Sequence, residues 1–121
     1  MTYKLSRETF KIYPLDFRNN SMEISWIKDR IGNDEFFLSL HGDKERQNDN
    51  LSISEIKEAL INGIIIENYD DTGRGESCLI AGFTDYGKPI HIVCGKMFEK
   101  DVIITVYIPF PPKFKNIFQR G

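Results

Sequence analysis

His41 and His91 are the only two histidines among 121 residues, and imidazole is the side chain best poised to move a proton near neutral pH. Glu45 stands four residues after His41, so a helix through this segment would put carboxylate and imidazole on one face. Arg46 follows directly. From spacing alone, the same charge-rich run fits a solvated helical face better. His91 lies in the apolar run Pro89 to Gly95, where alternation sets it opposite Ile90, Ile92 and Cys94. Along Val102 to Ile108, alternation assigns Val102, Ile104, Val106 and Ile108 to a buried face. It assigns Ile103, Thr105 and Tyr107 to the other. His91, Thr105 and Tyr107 are therefore expected together on an open, partly polar sheet face suited to binding.

Two further cations carry phosphate-type chemistry. Arg74 sits between Gly73 and Gly75, where the backbone can bend and the guanidinium can fork onto a phosphate. It can equally neutralise Asp70, Asp71 or Glu76 in its own loop. Lys113 follows Pro109, Pro111 and Pro112. Cys78 and Cys94 fall on neighbouring expected strands without CxxC spacing, the pattern of buried thiols in a reducing compartment, hence the cytoplasm. A zinc site from both cysteines with His41 and His91 has no recognised ligand spacing. No metal or cofactor is expected.

The elements that must position these groups form one domain over 22–121, preceded by an N-terminal extension, 1–21. Ile24, Ile27 and Ile31 recur at helical spacing, with Gly32 as C-cap. Phe36-Phe37-Leu38 is an apolar lead-in, and Ser39 is placed to cap a second helix that Gly42 weakens. Ser52 and Glu55 form a capping box for a third, which Gly63 ends. Strands follow from Ile64, Ser77, Pro89 and Val102, with a turn at Thr84 to Gly87 and prolines ending the last strand. The expected fold is α+β: N-terminal helices on one face of a four-stranded antiparallel sheet. With 40% hydrophobic residues and a net charge of −2, the chain can bury one modest core. Any nucleic-acid partner would need a local basic patch. No apolar run is long enough to span a bilayer, and no signal-peptide pattern is visible.

Ser39 to Arg46, Ile53 to Ile56 with Ala59 to Gly63, Ile65 to Glu67 with Tyr69, Arg74-Gly75 with Ser77 to Leu79, Pro89 to Val93, and Ile103 to Tyr107 with Pro109 and Lys113 together resemble the domain-of-unknown-function 4258 family. The resemblance runs from about Ile24 to Lys113. It implies a RelE/barnase-like fold and the activity of RelE-like toxins: metal-independent endoribonucleases that cleave mRNA by 2′-hydroxyl attack. It also implies a cognate antitoxin, frequently one with an MqsA-like zinc finger. His41 and Arg46 carry over in the His-to-Arg segment; His91, Thr105 and Tyr107 carry over within the HIV and ITVY motifs. In such chemistry His41, Glu45, Arg46, His91 and Tyr107 would be catalytic, and Arg74, Thr105 and Lys113 would hold the substrate. The expected geometry brings both imidazoles and a guanidinium into one hollow beside the sheet. The alternative is a catalytically inactive module of the same fold that docks a partner through its sheet.

Overall fold

The computed structural model describes residues 22–69 and 75–109, and the backbone of 114–116 and 119–120; the extension expected over 1–21 lies outside the described residues. Three helices, α1 (Ile24–Gly32), α2 (Leu40–Asn48) and α3 (Ile53–Ile61), accompany strands β1 (Phe36–Leu38), β2 (Ile64–Tyr69), β3 (Ser77–Phe83), β4 (Pro89–Met97) and β5 (Lys100–Tyr107). A separate two-stranded sheet pairs β6 (Phe114–Asn116) with β7 (Gln119–Arg120). The architecture is α+β, with a mixed main sheet of order β1-β5-β4-β3-β2.

Local chemistry starts and stops the helices. In α3 the Ser52 hydroxyl accepts from the Glu55 N–H at 3.0 Å, and the Glu55 carboxylate accepts from the Ser52 N–H at 2.9 Å. Two orphan donors are thus satisfied reciprocally. Lys88 Nζ adds a 2.8 Å ion pair to Glu55. That hydrogen bond, with the Ser52 N–H, holds the Glu55 carboxyl below its usual range. The left-handed residues after α1 and α2 are Asp34 and Asn50, with φ of 57° and 56°, rather than the glycine expected at position 32. Gly63 also has a different reason from helix termination. A Cβ there would stand 2.6 Å from Ile80 Cγ2 and 2.7 Å from the Ala59 carbonyl, so its bareness lets α3 lie close on the sheet.

Ile27, Ile31, Ile56, Ala59 and Leu60 from the helices bury against Cys78, Ile80, Ile90, Ile92, Cys94, Ile103 and Val106 from the sheet. Each large aliphatic side chain so buried contributes about 1.5–3 kcal/mol. The turn expected at Thr84 to Gly87 is present: Gly87 has φ 89°, and the Thr84 hydroxyl accepts from the Lys88 N–H at 3.0 Å.

Two features depart from the sequence reading. The sheet has five strands rather than four and is not wholly antiparallel, because Phe36, Phe37 and Leu38 pair in parallel with Asp101, Val102 and Ile103. This apolar lead-in supplies partners for the outer edge of β5, which would otherwise be exposed. The second departure is in β5, where the ladder to β4 slips between Val93 and Cys94. Thr105 pairs with Val93 and Ile103 with Cys94, leaving Ile104 as the extra residue of a β-bulge. The bulge reverses the parity of the strand. Ile103 and Val106 therefore share the core face, while the expected core residue Ile104 does not join that cluster. A similar slip at Ile66 divides β2.

Candidate functional site

Helix α2 is built along the edge of β5. The Ser39 N–H donates to the Ile103 carbonyl at 2.9 Å, and the Ser39 hydroxyl donates to the Ile104 carbonyl at 2.9 Å. The same hydroxyl accepts from the Gly42 N–H at 2.9 Å, so Ser39 caps the helix as expected. Farther along, Glu45 Oε1 accepts the Val106 N–H at 3.1 Å and Asp49 Oδ2 accepts the Ile108 N–H at 3.2 Å. Where β1 ends, side chains of α2 thus take over the open ladder of β5. The approach is close: a Cβ on Gly42 would lie 2.7 Å from the Ile103 carbonyl. The residue that lowers helix propensity is the one that lets α2 dock.

This placement fixes one chemical pair in the open. His41 has 66% of its side chain exposed, and its Nε2 lies 3.3 Å from Glu45 Oε2. The second carboxylate oxygen of Glu45 is held by the strand, so the carboxylate is a fixed orienting group for the imidazole.

The other expected site residues are distributed differently. Arg46 is engaged within its own helix and turn, with Nε 2.8 Å from Asp43 Oδ1 and an η-nitrogen donating to the Leu51 carbonyl at 3.3 Å. Arg74 and Lys113 lie outside the described residues. His91 corrects the expectation of an open face, because it is fully buried. Its row across the sheet explains why: Ala81 and Tyr107 are its direct partners on β3 and β5, and Ala81 and the nearby Leu79 are also buried. The Tyr107 ring meets the imidazole edge-on at 5.4 Å between centroids, with the phenol oxygen 3.4 Å from His91 Nδ1. Thr105 is half-buried two rows away, paired with Val93. The two imidazoles therefore do not share an open hollow: His41 is exposed on α2, while His91 is sealed within the sheet layer.

Cys78 and Cys94 face each other across β3 and β4 in the core. They do not assemble with the histidines, and no cluster of three or more metal-ligating side chains occurs among the described residues. Burial pushes the Cys78 thiol up to about 12 and the Cys94 thiol well above its usual value, which leaves both protonated and unreactive.

The sequence reading missed Asp49 as the second edge acceptor. It also missed a trough on the sheet face away from α3, about 620 Å³ in volume and reaching Ser39 at the start of α2. The bulges hid the trough, since they decide which residues of β2 and β5 look into it.

Residues 38–108, more than half of the chain, match the family model described as Domain of unknown function (DUF4258). No curated protein and no solved structure matches the chain. From that match across α2, α3 and the sheet, the chain belongs to the DUF4258 family.

Proposed function

We propose that this protein is a RelE/barnase-like, metal-independent endoribonuclease that cleaves mRNA in the cytoplasm and is held silent by a cognate antitoxin. The observation that carries this reading is the exposed His41 imidazole, oriented by a Glu45 carboxylate that β5 holds in place. A carboxylate at Nε2 favours the tautomer with its proton there and leaves Nδ1 free to accept one. In this scheme His41 Nδ1 takes the proton of a ribose 2′-hydroxyl as its oxygen attacks the adjacent phosphorus. The bond to the 5′-oxygen breaks as that oxygen takes a proton from solvent, giving a 2′,3′-cyclic phosphate and a 5′-hydroxyl. Glu45 is the positioning residue and offsets the charge of the imidazolium that forms.

The half-buried Tyr107 and Thr105 border the sheet layer beside this helix, and in this reading they shape the site. His91 supports Tyr107 from below. Arg46 stiffens α2 through Asp43 and Leu51. The internal engagement of Arg46 and the burial of His91 also favour a second reading, a non-catalytic module of the same fold that docks its partner through the sheet.

RNA incubated with the purified chain in excess chelator separates the two. Fragments ending in cyclic phosphate, formed at least a hundredfold more slowly by His41→Ala, support the nuclease. Intact RNA at high protein concentration leaves the docking module.

A further inference from the structure

We infer that the trough on the sheet face away from α3 is a binding site for one unstacked nucleobase of single-stranded RNA. Its floor is a single cross-strand row: Tyr69 of β2 pairs with Ser77 of β3, Ser77 with Gly95 of β4, and Gly95 with Val102 of β5. Gly95 removes a side chain from the middle of that row, so the surface dips to the backbone there. With strands about 4.8 Å apart, the gap from β3 to β5 is roughly 10 Å, wide enough for a flat ring and narrow for a helix. Ile104, displaced by the β-bulge, leans over the glycine; its Cδ1 lies 3.0 Å from where a Gly95 Cβ would stand. Ile104, Val102 and Met97 make the lining predominantly apolar, and the volume of about 620 Å³ falls in the ~300–1,000 Å³ range of small-ligand sites.

Polarity and charge narrow the occupant. The Ser77 hydroxyl on the floor has no side-chain hydrogen-bond partner among the described residues, so it is available to the edge of a heterocycle. The floor row of Tyr69, Ser77, Gly95 and Val102 carries no charged side chain, which suits an uncharged base better than a bare phosphate. RNA readers commonly splay a base out of its strand, bury it against apolar or aromatic side chains and read its edge by hydrogen bonds. The other end of the trough is Ser39, two residues before His41, or roughly 3 Å along the helix axis. A base seated here would lead its strand past the His41–Glu45 pair.

By comparison, a recess of about 480 Å³ beside α3 has most of its polar groups already engaged. Lys57 pairs with Asp34, Glu58 accepts the Asp85 N–H, and Asn62 donates to the Phe83 carbonyl.

The inference rests on the ribonuclease reading for its choice of ligand, and its test is independent of turnover. A 2′-O-methyl pentanucleotide, which cannot be cleaved by 2′-attack, carries 2-aminopurine at its centre and is titrated with the full chain. A second oligonucleotide is abasic at that position. Binding is expected to quench the fluorescent base and to be at least tenfold weaker for the abasic strand. Gly95→Ala, whose added methyl would press on the flexible end of Ile104 at 3.0 Å and make ordinary contacts with Val102 at 3.4 Å and the Glu76 carbonyl at 3.6 Å, is expected to weaken binding about tenfold while the chain stays folded by circular dichroism. Ser77→Ala provides a second variant, with an expected loss of about threefold to tenfold. Equal affinity for the abasic strand, unchanged affinity in both variants, or absence of binding overturns the inference. Base-dependent binding without cleavage of ordinary RNA leaves the trough assignment standing and removes the nuclease. Cleavage that is indifferent to Gly95→Ala and Ser77→Ala does the reverse.

Discussion

Asp101 should make this protein less stable as the pH rises, and Asp101→Asn should remove that dependence. The side chain is fully buried, and neither carboxylate oxygen has a hydrogen-bond partner among the described residues. Its backbone is fixed from both sides: the Asp101 N–H donates to the Glu35 carbonyl, and the residue pairs with Phe36 and Lys96. The nearby Cys94 thiol gives slight relief, being a weak donor without good geometry to either oxygen. Burial therefore dominates and pushes the carboxyl from 3.8 up to about 7.

The sign follows from proton counting. Between those two values the folded chain binds the proton and the unfolded chain does not, so stability falls as pH rises from about 4 to about 7, then levels off. At 1.36 kcal/mol per pH unit, the full span is up to about 4 kcal/mol, comparable with the whole stability of a marginal domain. Urea unfolding of both proteins from pH 4 to 8 measures it. The two should be similar in stability near pH 4, and the asparagine variant should gain steadily over the native chain up to pH 7. Parallel stability curves would refute the reasoning, since they would mean that Asp101 finds a partner or water when ionised. His91 and the cysteines are common to both proteins and cancel in the difference.

Glu45 has two separable jobs. Glu45→Gln should keep an acceptor for the Val106 N–H and cost less than 1 kcal/mol of stability, while Glu45→Ala, leaving that N–H unpaired, should cost about 1–3 kcal/mol; both should slow RNA cleavage if the pair with His41 matters. Ser52→Ala opens the capping box of α3 and should cost about 1 kcal/mol by urea unfolding. Gly82→Ala would place a Cβ 2.0 Å from the Ala59 carbonyl, so α3 must move off β3; a loss of 3 kcal/mol or more, or failure to accumulate folded protein, is expected.

What was legible in the sequence was local. The capping box at Ser52 and Glu55, the Gly87 turn and the aliphatic stripe of α3 each depend on residues a few positions apart, and all are present. The long-range features were not. Three residues, Phe36 to Leu38, become a strand only because β5 offers them an edge. The bulges at Ile66 and Ile104 exist only in pairing with a neighbour, and they overturn the alternation used to choose between Ile103 and Ile104. The site suffered most from this. The i,i+4 spacing of His41 and Glu45 was readable and gives the 3.3 Å pair, but nothing near Glu45 in the sequence announces the Val106 N–H, 61 residues later. Arg46 appeared free for catalysis until its own turn supplied Asp43 and Leu51. His91 looked open because its strand alternates, whereas burial of both sheet faces at that row is a tertiary fact.

The central claim is that the exposed His41 imidazole, oriented by Glu45, takes the proton of a ribose 2′-hydroxyl. Its most direct measurement is the rate at which purified native chain and His41→Ala convert a defined RNA to 2′,3′-cyclic phosphate ends in excess chelator. The account predicts cyclic-phosphate product from the native chain and a rate at least a hundredfold lower for the variant. Equal rates for the two proteins, or RNA left intact by the native chain, would contradict it.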